Sequence, residues 1–465
     1  MGLLVMKFGG TSVGSAAAIK SLAAIVAEQR KPWGAVAVVV SAMSGVTDAL
    51  IRGATGSAAG DRDIGMATAA DLRERHAAAL RELVGDTDDA RAVWGRITAL
   101  IDEYALLCRS VGVLGEVSAR AMDAISGLGE RMSAPLVAAA LRARGIEAEA
   151  IDATELIVTT AEFGRAVPLY PQTRERIRAR LLPLLERGVV PVVTGFIGAT
   201  ESGAATTLGR GGSDYSGAII GAALDADEVA IYTDVDGVMT SDPRLVPEAR
   251  IIPTLSYAEM SELAYFGAKV LHPRTIRPVV ERGIPLRIRN TFNPTHTGTL
   301  VVREAEAGGK PVKAVTSIKE MSLITVEGRG MMGVPGVAAR TFSAVASVGA
   351  NVLMISQASS EQSICFVVPT STAPQVVGAL EQGLGPAIAR RDIDRIWSRD
   401  DVVIVTAVGS GMRDTPGVAA QVFGALAAQQ INVVAIAQGS SECAISVVVA
   451  AADADAAVRA LHELT

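Results

Sequence analysis

Residues 4–15 read LVMKFGGTSVGS. An apolar run of strand type carries Lys7, and the pair Gly9-Gly10 follows at once. The stretch has the ingredients of a phosphate-binding loop in reverse order. In a Walker A loop the lysine follows the glycines and opens the helix, whereas here it precedes them. A strand that runs into Gly-Gly lets the backbone come close to a phosphate and offers it N–H groups. Lys7 adds a point charge at the strand end. A tight turn with an ordinary lysine reads the same way, so the stretch takes its meaning from the rest of the chain.

Similar apolar runs recur downstream. VAVVVSAMS (36–44), VVPVVTGFIG (189–198) and VAIYTDVDGV (229–238) each pass into a loop of small or polar residues. Short continuous apolar runs fit strands buried on both faces of a parallel sheet. Helical patterning fills 15–30, 66–110, 131–144, 171–187 and 213–224. The alternation predicts a layered α/β domain, and in such sheets ligands sit beyond the carboxyl ends of the strands.

Composition narrows the class. The chain has 465 residues, 49% hydrophobic and 20% charged, enough for roughly three domains with sizeable cores. A net charge of −6 argues against a nucleic-acid surface. No apolar run approaches the ~20 residues of a membrane helix, and Lys7 interrupts the first run, unlike the apolar segment of a signal peptide. Cys108, Cys365 and Cys443 lie far apart, which suggests reduced thiols in a cytoplasmic setting, with no disulfide frame and no metal spacing. The four histidines are scattered. Only residues 7, 20, 31, 269, 310, 313 and 319 are lysine among 43 basic residues, so Lys7 and Lys269 stand out as compact ammonium groups in an arginine-rich chain.

EAEAGGKP (304–311) reads as a linker, and beyond it the chain repeats itself. GMMGVPGVAARTFSAVASVGANVLMISQASSE from Gly330 aligns without gaps on GMRDTPGVAAQVFGALAAQQINVVAIAQGSSE from Gly411. Pro335 matches Pro416, Phe342 matches Phe423, Asn351 matches Asn432 and Gln357 matches Gln438. Each unit reads as most of a ferredoxin-like βαββαβ module. The first has a candidate last strand in RDIDRIW (391–397), but the second ends straight after its second helix. VKAVTSI (312–318) is a spare strand, and the expectation is that it completes the second module and interleaves the two. An unpaired edge would otherwise be left open.

The loops carry the chemistry. TTLGRGGSDYS (206–216) sets Arg210 among glycines, with Ser213 and Asp214 opening a helix. Arginine suits a bidentate grip on a carboxylate or phosphate, and Asp214 suits an ammonium, so an amino-acid ligand is indicated; an ordinary helix cap is the plainer reading of Ser213 and Asp214. TDVDGVMTSDPR (233–244) departs from the spacing of a Ca²⁺ loop. GERMSAP (129–135) offers Glu130 at a helix start, SAMSGVTDAL (41–50) offers Ser41 and Thr47, and FGAKVLHP (266–273) sets Lys269 in an apolar segment, where a charge needs a partner.

Taken together, these motifs closely resemble the aspartate kinase family, and the match covers almost the whole chain. The resemblance implies an amino-acid-kinase (carbamate-kinase-like) layered α/β domain followed by two ferredoxin-like ACT modules. The expected boundaries are 1–303 for the catalytic domain, 304–320 for the linker and spare strand, 321–398 and 399–465 for the ACT modules. It implies phosphorylation of the side-chain carboxylate of L-aspartate by ATP with Mg²⁺. Lys7 resembles the lysine that bridges the ATP phosphates, with Gly9 and Gly10 shaping its turn. Thr47, Glu130 and Arg210 resemble the aspartate-binding set, joined by Ser41: Arg210 for the α-carboxylate, Glu130 for the ammonium, Thr47 for the side-chain carboxylate. Asp214 resembles the acid that organises the site. Gly211, Gly212, Ser213, Thr233, Asp234, Met239, Arg244 and Lys269 fall on the nucleotide side, where Met239 replaces the family's usual tyrosine.

The ACT repeats look most like the threonine-sensitive group, with Gln357 and Gln438 as effector glutamines and Asn351 and Asn432 beside them; lysine is the rival effector. Pairing of ACT modules implies a homodimer or a dimer of dimers. Bifunctional relatives continue into a homoserine dehydrogenase, and the resemblance here is to the monofunctional form. A kinase for another amino acid, or an amino-acid sensor with an impaired kinase domain, are the other readings.

Overall fold

The apolar runs of the N-terminal part assemble into one sheet. The computed structural model describes residues 2–267, 271, 273–305, 310–357, 362–413, 415–439 and 442–465. Among these the chain divides into two compact units. The first holds Met1–Val238, Pro253–Tyr257 and Lys269–Ala305. Its main sheet has the strand order Ala148–Ile151, Val190–Thr194, Ala35–Val40, Leu3–Phe8, Glu228–Thr233, Leu286–Asn290, Thr299–Val302, Thr254–Ser256. The first six are parallel and Thr299–Val302 turns back antiparallel. Helices pack on the central strands, which is why Val36 to Val40 are all buried and the run shows no alternation. A smaller sheet joins Val158–Thr159, Ile197–Thr200 and Ala205–Thr207.

The helical stretch expected over 66–110 is two helices, Ile64–Val84 and Asp88–Leu114. The break falls where Thr87 caps the second helix, its hydroxyl accepting from Ala90 N at 3.1 Å. An N-cap of this kind satisfies an otherwise orphaned amide and favours a restart over continuation. Helices Val46–Ala58 and Ala119–Ser126 also form, where the sequence reading assigned none.

The second unit holds Met239–Ile252, Ala258–Ala268 and Glu306–Thr465. Its sheet runs Met354–Gln357, Ser363–Pro369, Ala314–Glu327, Arg395–Val408, Ala444–Ala450, Ala435–Gln438. The two central strands are long and antiparallel, with the register broken between Ile318 and Leu323. Met321–Glu327 pairs on its other side with Ser363–Pro369, and Val402–Val408 pairs with Ala444–Ala450. Ala314–Ile318 lies against Ile404–Val408, and Arg395–Arg399 lies against Leu323–Glu327. Each repeat therefore has its fourth strand beside its first, and each supplies or borrows it through a long strand. The repeats' first helices, Val337–Ser347 and Val418–Ala428, occupy equivalent places.

Two segments that precede the linker belong to this unit. Thr240 donates or accepts at 2.8 Å with His462 Nε2, and Val315 N donates to Thr240 O at 2.8 Å. Glu259 is fully buried, paired with Lys313 at 3.1 Å, and accepts from Ser410 N at 2.6 Å.

Candidate active site

Lys7 is the penultimate residue of the central strand Leu3–Phe8 and is buried, at 6% exposure. Its stem passes Gly217, where an added Cβ would lie 3.1 Å from Lys7 Cβ. Its ammonium forms an ion pair with Asp214. Gly9 follows, and its N–H donates to Tyr232 O at 3.0 Å. That amide is therefore committed within the sheet and is not one of the free donors the sequence suggested. What Gly9 contributes is its missing side chain, since a Cβ there would be 3.7 Å from Lys7 Nζ.

Arg210 stands in the turn before helix Gly212–Leu224. Gly209 (φ +76°) and Gly211 (φ +70°) flank it, both in the left-handed region that favours glycine. Gly211 caps the helix without any side-chain bond, so the helix start presents its backbone donors and the positive end of its dipole toward the loop. Asp214 lies in the first turn and meets Lys7.

Glu130 lies in the first turn of helix Leu128–Arg142 at 3% exposure. Its Oε2 is buried and accepts no hydrogen bond. Burial pushes its carboxyl up to about 8, against the pull of backbone N–H groups at Ala42 and Glu130, the Lys7 charge and the Ser213 hydroxyl. A buried carboxylate short of a partner is a receptor for a cationic group. Ser41 continues the strand Ala35–Val40, its N donating to Phe8 O at 3.1 Å, and Ser133 Oγ donates to its carbonyl at 2.6 Å. Thr47 is in the first turn of helix Val46–Ala58.

These groups converge. One cavity of about 430 Å³ is lined by Lys7, Ser41, Thr47, Glu130, Arg210, Gly211, Gly212, Ser213 and Asp214. Gly209, one of the glycines around Arg210, completes its wall with Gly164, Phe196 and Thr207, three residues that no sequence motif marks as binding groups. Phe196 is held at φ +69°, rare for an aromatic residue; its N donates to Ser216 Oγ at 3.0 Å, and its carbonyl accepts from Leu208 N at 2.9 Å. Non-glycine residues in such backbone geometry collect at functional sites, but a positive φ at phenylalanine leaves no mark in the sequence.

The expected nucleotide residues are distributed differently. Gly9, Gly10, Thr233 and Asp234 lie outside this cavity's lining. Thr233 ends the strand Glu228–Thr233, its carbonyl accepting from Thr291 N at 2.9 Å, and its hydroxyl donates to Asp234 at 3.2 Å. Met239 and Arg244 belong to the second unit. Arg244 is exposed and binds Asp242 at 2.6 Å. Lys269 lies outside the described residues.

In the second unit Asn351, Gln357, Asn432 and Gln438 are all exposed. Gln357 lines a cavity of about 330 Å³ with Met331, Gly333, Pro335, Gly336 and Ile364. Gln438 ends the edge strand Ala435–Gln438.

Comparison with known proteins bears on this geometry. The amino acid kinase family pattern matches residues 2–290, and the ACT domain pattern matches 324–384 and 405–464. The chain is 40% identical to bifunctional aspartokinase/homoserine dehydrogenase 1, chloroplastic, of Arabidopsis thaliana over 98% of its own length and 50% of that protein's. It thus spans about half the length of such bifunctional relatives. It is 35% identical to the aspartokinase of Thermus thermophilus, covering 100% of this chain and 98% of that one. Among solved structures, E. coli aspartokinase III in complex with aspartate and ADP (R-state) superposes with a TM-score of 0.82 at 30% identity, over 99% of both chains. The same enzyme in complex with lysine and aspartate (T-state) gives 0.78 at 31% identity, again over 99% of both.

Proposed function

We propose that this chain, which belongs to the aspartokinases of the amino acid kinase family, transfers the γ-phosphoryl group of ATP to the side-chain carboxylate of L-aspartate. The observation that carries the reading is the single cavity holding Lys7, Thr47, Glu130, Arg210 and Asp214 together. Its polar groups match the three charges of aspartate. Arg210 takes the α-carboxylate by a bidentate grip. Glu130, buried and short of a partner, takes the ammonium. Thr47, at the start of its helix, orients the side-chain carboxylate.

The chemistry then asks little of proton transfer. A carboxylate with an ordinary pKa is already ionised at neutral pH and attacks phosphorus without a base. The bond to the leaving ADP oxygen breaks as the bond to the carboxylate oxygen forms, giving 4-phospho-L-aspartate and ADP. Phosphoryl transfer of this kind rests on positioning and on charge stabilisation. Lys7 supplies a buried positive charge from the strand end, held in line by Asp214, and the start of helix Gly212–Leu224 supplies backbone donors. Mg²⁺ brought with the nucleotide would add to the neutralisation of phosphate charge that Lys7 and the helix start provide. A lysine on a strand end serves here as the Walker lysine does at a helix start.

Regulation is read from the repeats. Gln357 at the mouth of a cavity walled by the Gly-rich turn supports an amino-acid effector in the first module, and the ISQASSE and IAQGSSE segments favour threonine over lysine. Pairing of modules between two chains, as a homodimer, fits the exposed edge strands Met354–Gln357 and Ala435–Gln438, each with an exposed isoleucine, Ile355 and Ile436.

The test is acyl-phosphate formation from L-aspartate and Mg·ATP, trapped with hydroxylamine. Hydroxamate that depends on both substrates, and falls when L-threonine is added, is the expected result. No hydroxamate from aspartate, or equal yield from glutamate, would overturn the substrate.

A further inference from the structure

Asp123 is a carboxylate at 3% exposure, on the helix Ala119–Ser126, with no place in the chemistry described above. Its bonds are unusual in where they go. Gly164 N donates to both oxygens, at 3.0 and 2.9 Å. Thr207 N donates to Oδ2 at 2.9 Å, and Thr207 Oγ donates to Oδ1 at 2.7 Å. Gly164 and Thr207 both line the active-site cavity. Asp123 does not.

The two segments it grips bracket the arginine loop. Thr207 ends the strand Ala205–Thr207, three residues before Arg210. Ala166 N donates to Thr207 O at 3.0 Å, tying the 162–166 turn to the same strand end. Gly164 O lies so close to Gly209 that a Cβ there would be 3.2 Å from it. Arg120, on the same helix as Asp123, places its guanidinium 5.9 Å from the ring centroid of Phe163. One helix thus holds the 163–164 turn at two points, and that turn backs onto the glycine preceding Arg210.

We propose that Asp123 is a positioning residue for the aspartate subsite: it clamps Gly164 to Thr207 and so fixes the loop from which Arg210 reaches the substrate carboxylate. The inference rests on the reading of Arg210 as that carboxylate's partner. Three donors, two N–H and one O–H, make four contacts with one carboxylate, so a neutral amide of the same size cannot replace it. Asparagine keeps one acceptor oxygen and turns an NH₂ toward groups that also donate. The clamp then opens on one side at least, and a small misplacement of a binding group is costly to a site built on orientation.

The experiment compares Asp123→Asn, Thr207→Val and Thr207→Ser in the full chain, by steady-state kinetics in each substrate, aspartate titration calorimetry and thermal melting. The expected result is a fall in kcat/KM for aspartate of roughly ten- to a hundredfold in Asp123→Asn, with KM for ATP unchanged. Thr207→Val should show the same split more weakly, and Thr207→Ser, which keeps the hydroxyl, should restore it. A lowered kcat with both KM values and aspartate affinity unchanged would mark Asp123 as structural only and overturn the proposal. So would a neutral Thr207→Val, which also decides the matter if Asp123→Asn does not fold. Arg210→Lys separates the premise from the inference. A normal KM for aspartate there overturns the role of Arg210; a large rise there, with none in Asp123→Asn, overturns the clamp.

Discussion

Lys7 and Glu130 are both buried, and they differ in their partners. Lys7 is met by Asp214; Glu130 has an oxygen that accepts no hydrogen bond, and burial lifts its carboxyl to about 8. Removing Lys7 takes away a charge aimed at the transferring phosphoryl group. Lys7→Ala should lower kcat by at least about 10²–10³-fold, the scale for losing one preorganised donor, with the far-ultraviolet dichroism of the parent. Activity retained would remove Lys7 from the mechanism. Glu130 predicts a pH effect with a definite sign. Its folded pKa lies above the 4.5 of the free side chain, so the folded state binds the extra proton. Its contribution to stability is full below about 4.5 and is lost as pH rises through about 8. An incoming ammonium needs the ionised form, so kcat/KM for aspartate should rise with pH up to about 8 and then level. Glu130→Gln should flatten the decline of melting temperature between pH 5 and 8 and weaken aspartate binding by about 2 kcal/mol or more. A mutant with the parent's pH profile would place the titrating group elsewhere.

Elements show what the sequence could and could not disclose. The central strands were legible because burial on both faces leaves an uninterrupted apolar run, as at Val36–Val40. The spare strand was legible because a repeat shows what it lacks: Ala314–Ile318 lies beside Ile404–Val408. The cavity's charged residues were legible as loop motifs, since Arg210 among glycines is an odd use of arginine. Asp123 was not, because a lone aspartate outside any motif carries no signal, and only the fold brings Gly164 and Thr207 to it. Nor could local pattern show that Met239–Ile252 and Ala258–Ala268 pack with the C-terminal unit. That association depends on long-range pairs such as Thr240 with His462 and Glu259 with Lys313. The second pair yields a prediction for its helix, Tyr257–Tyr265. Glu259 is fully buried and also receives Ser410 N, so Glu259→Ala leaves a partly buried ammonium and an amide without it. A loss of about 3–5 kcal/mol is expected, read as a lower urea midpoint for the transition that involves the second unit. A shift within about 0.5 kcal/mol, the range of an ordinary surface change, would show that the helix is held by apolar contact alone.

At the scale of the whole molecule, two similar repeats pose the question of which one senses the effector. Both carry the glutamine at the end of the same strand, Met354–Gln357 and Ala435–Gln438, and both strands lie at sheet edges. Gln357 lines a cavity with the Gly333–Ala338 turn. An effector acts by binding one state better than another, and it can shift the equilibrium only by that difference in affinity. If both glutamines contribute equally to that difference, replacing either should weaken feedback alike. If the cavity is where the effector is chiefly held, the mutants should differ. Gln357→Ala is therefore expected to raise the concentration of threonine that halves activity by roughly ten- to a hundredfold, the loss of one or two hydrogen bonds to a charged ligand. Gln438→Ala should raise it less, and both should keep the uninhibited turnover of the parent. Inhibition curves for the two mutants and the double mutant decide it. Equal shifts that multiply in the double mutant would mean two independent sensing sites, one per repeat, and the reverse order would move the sensor to the second. A parent inhibited by lysine and indifferent to threonine would leave the geometry of the cavity intact and change the amino acid it measures.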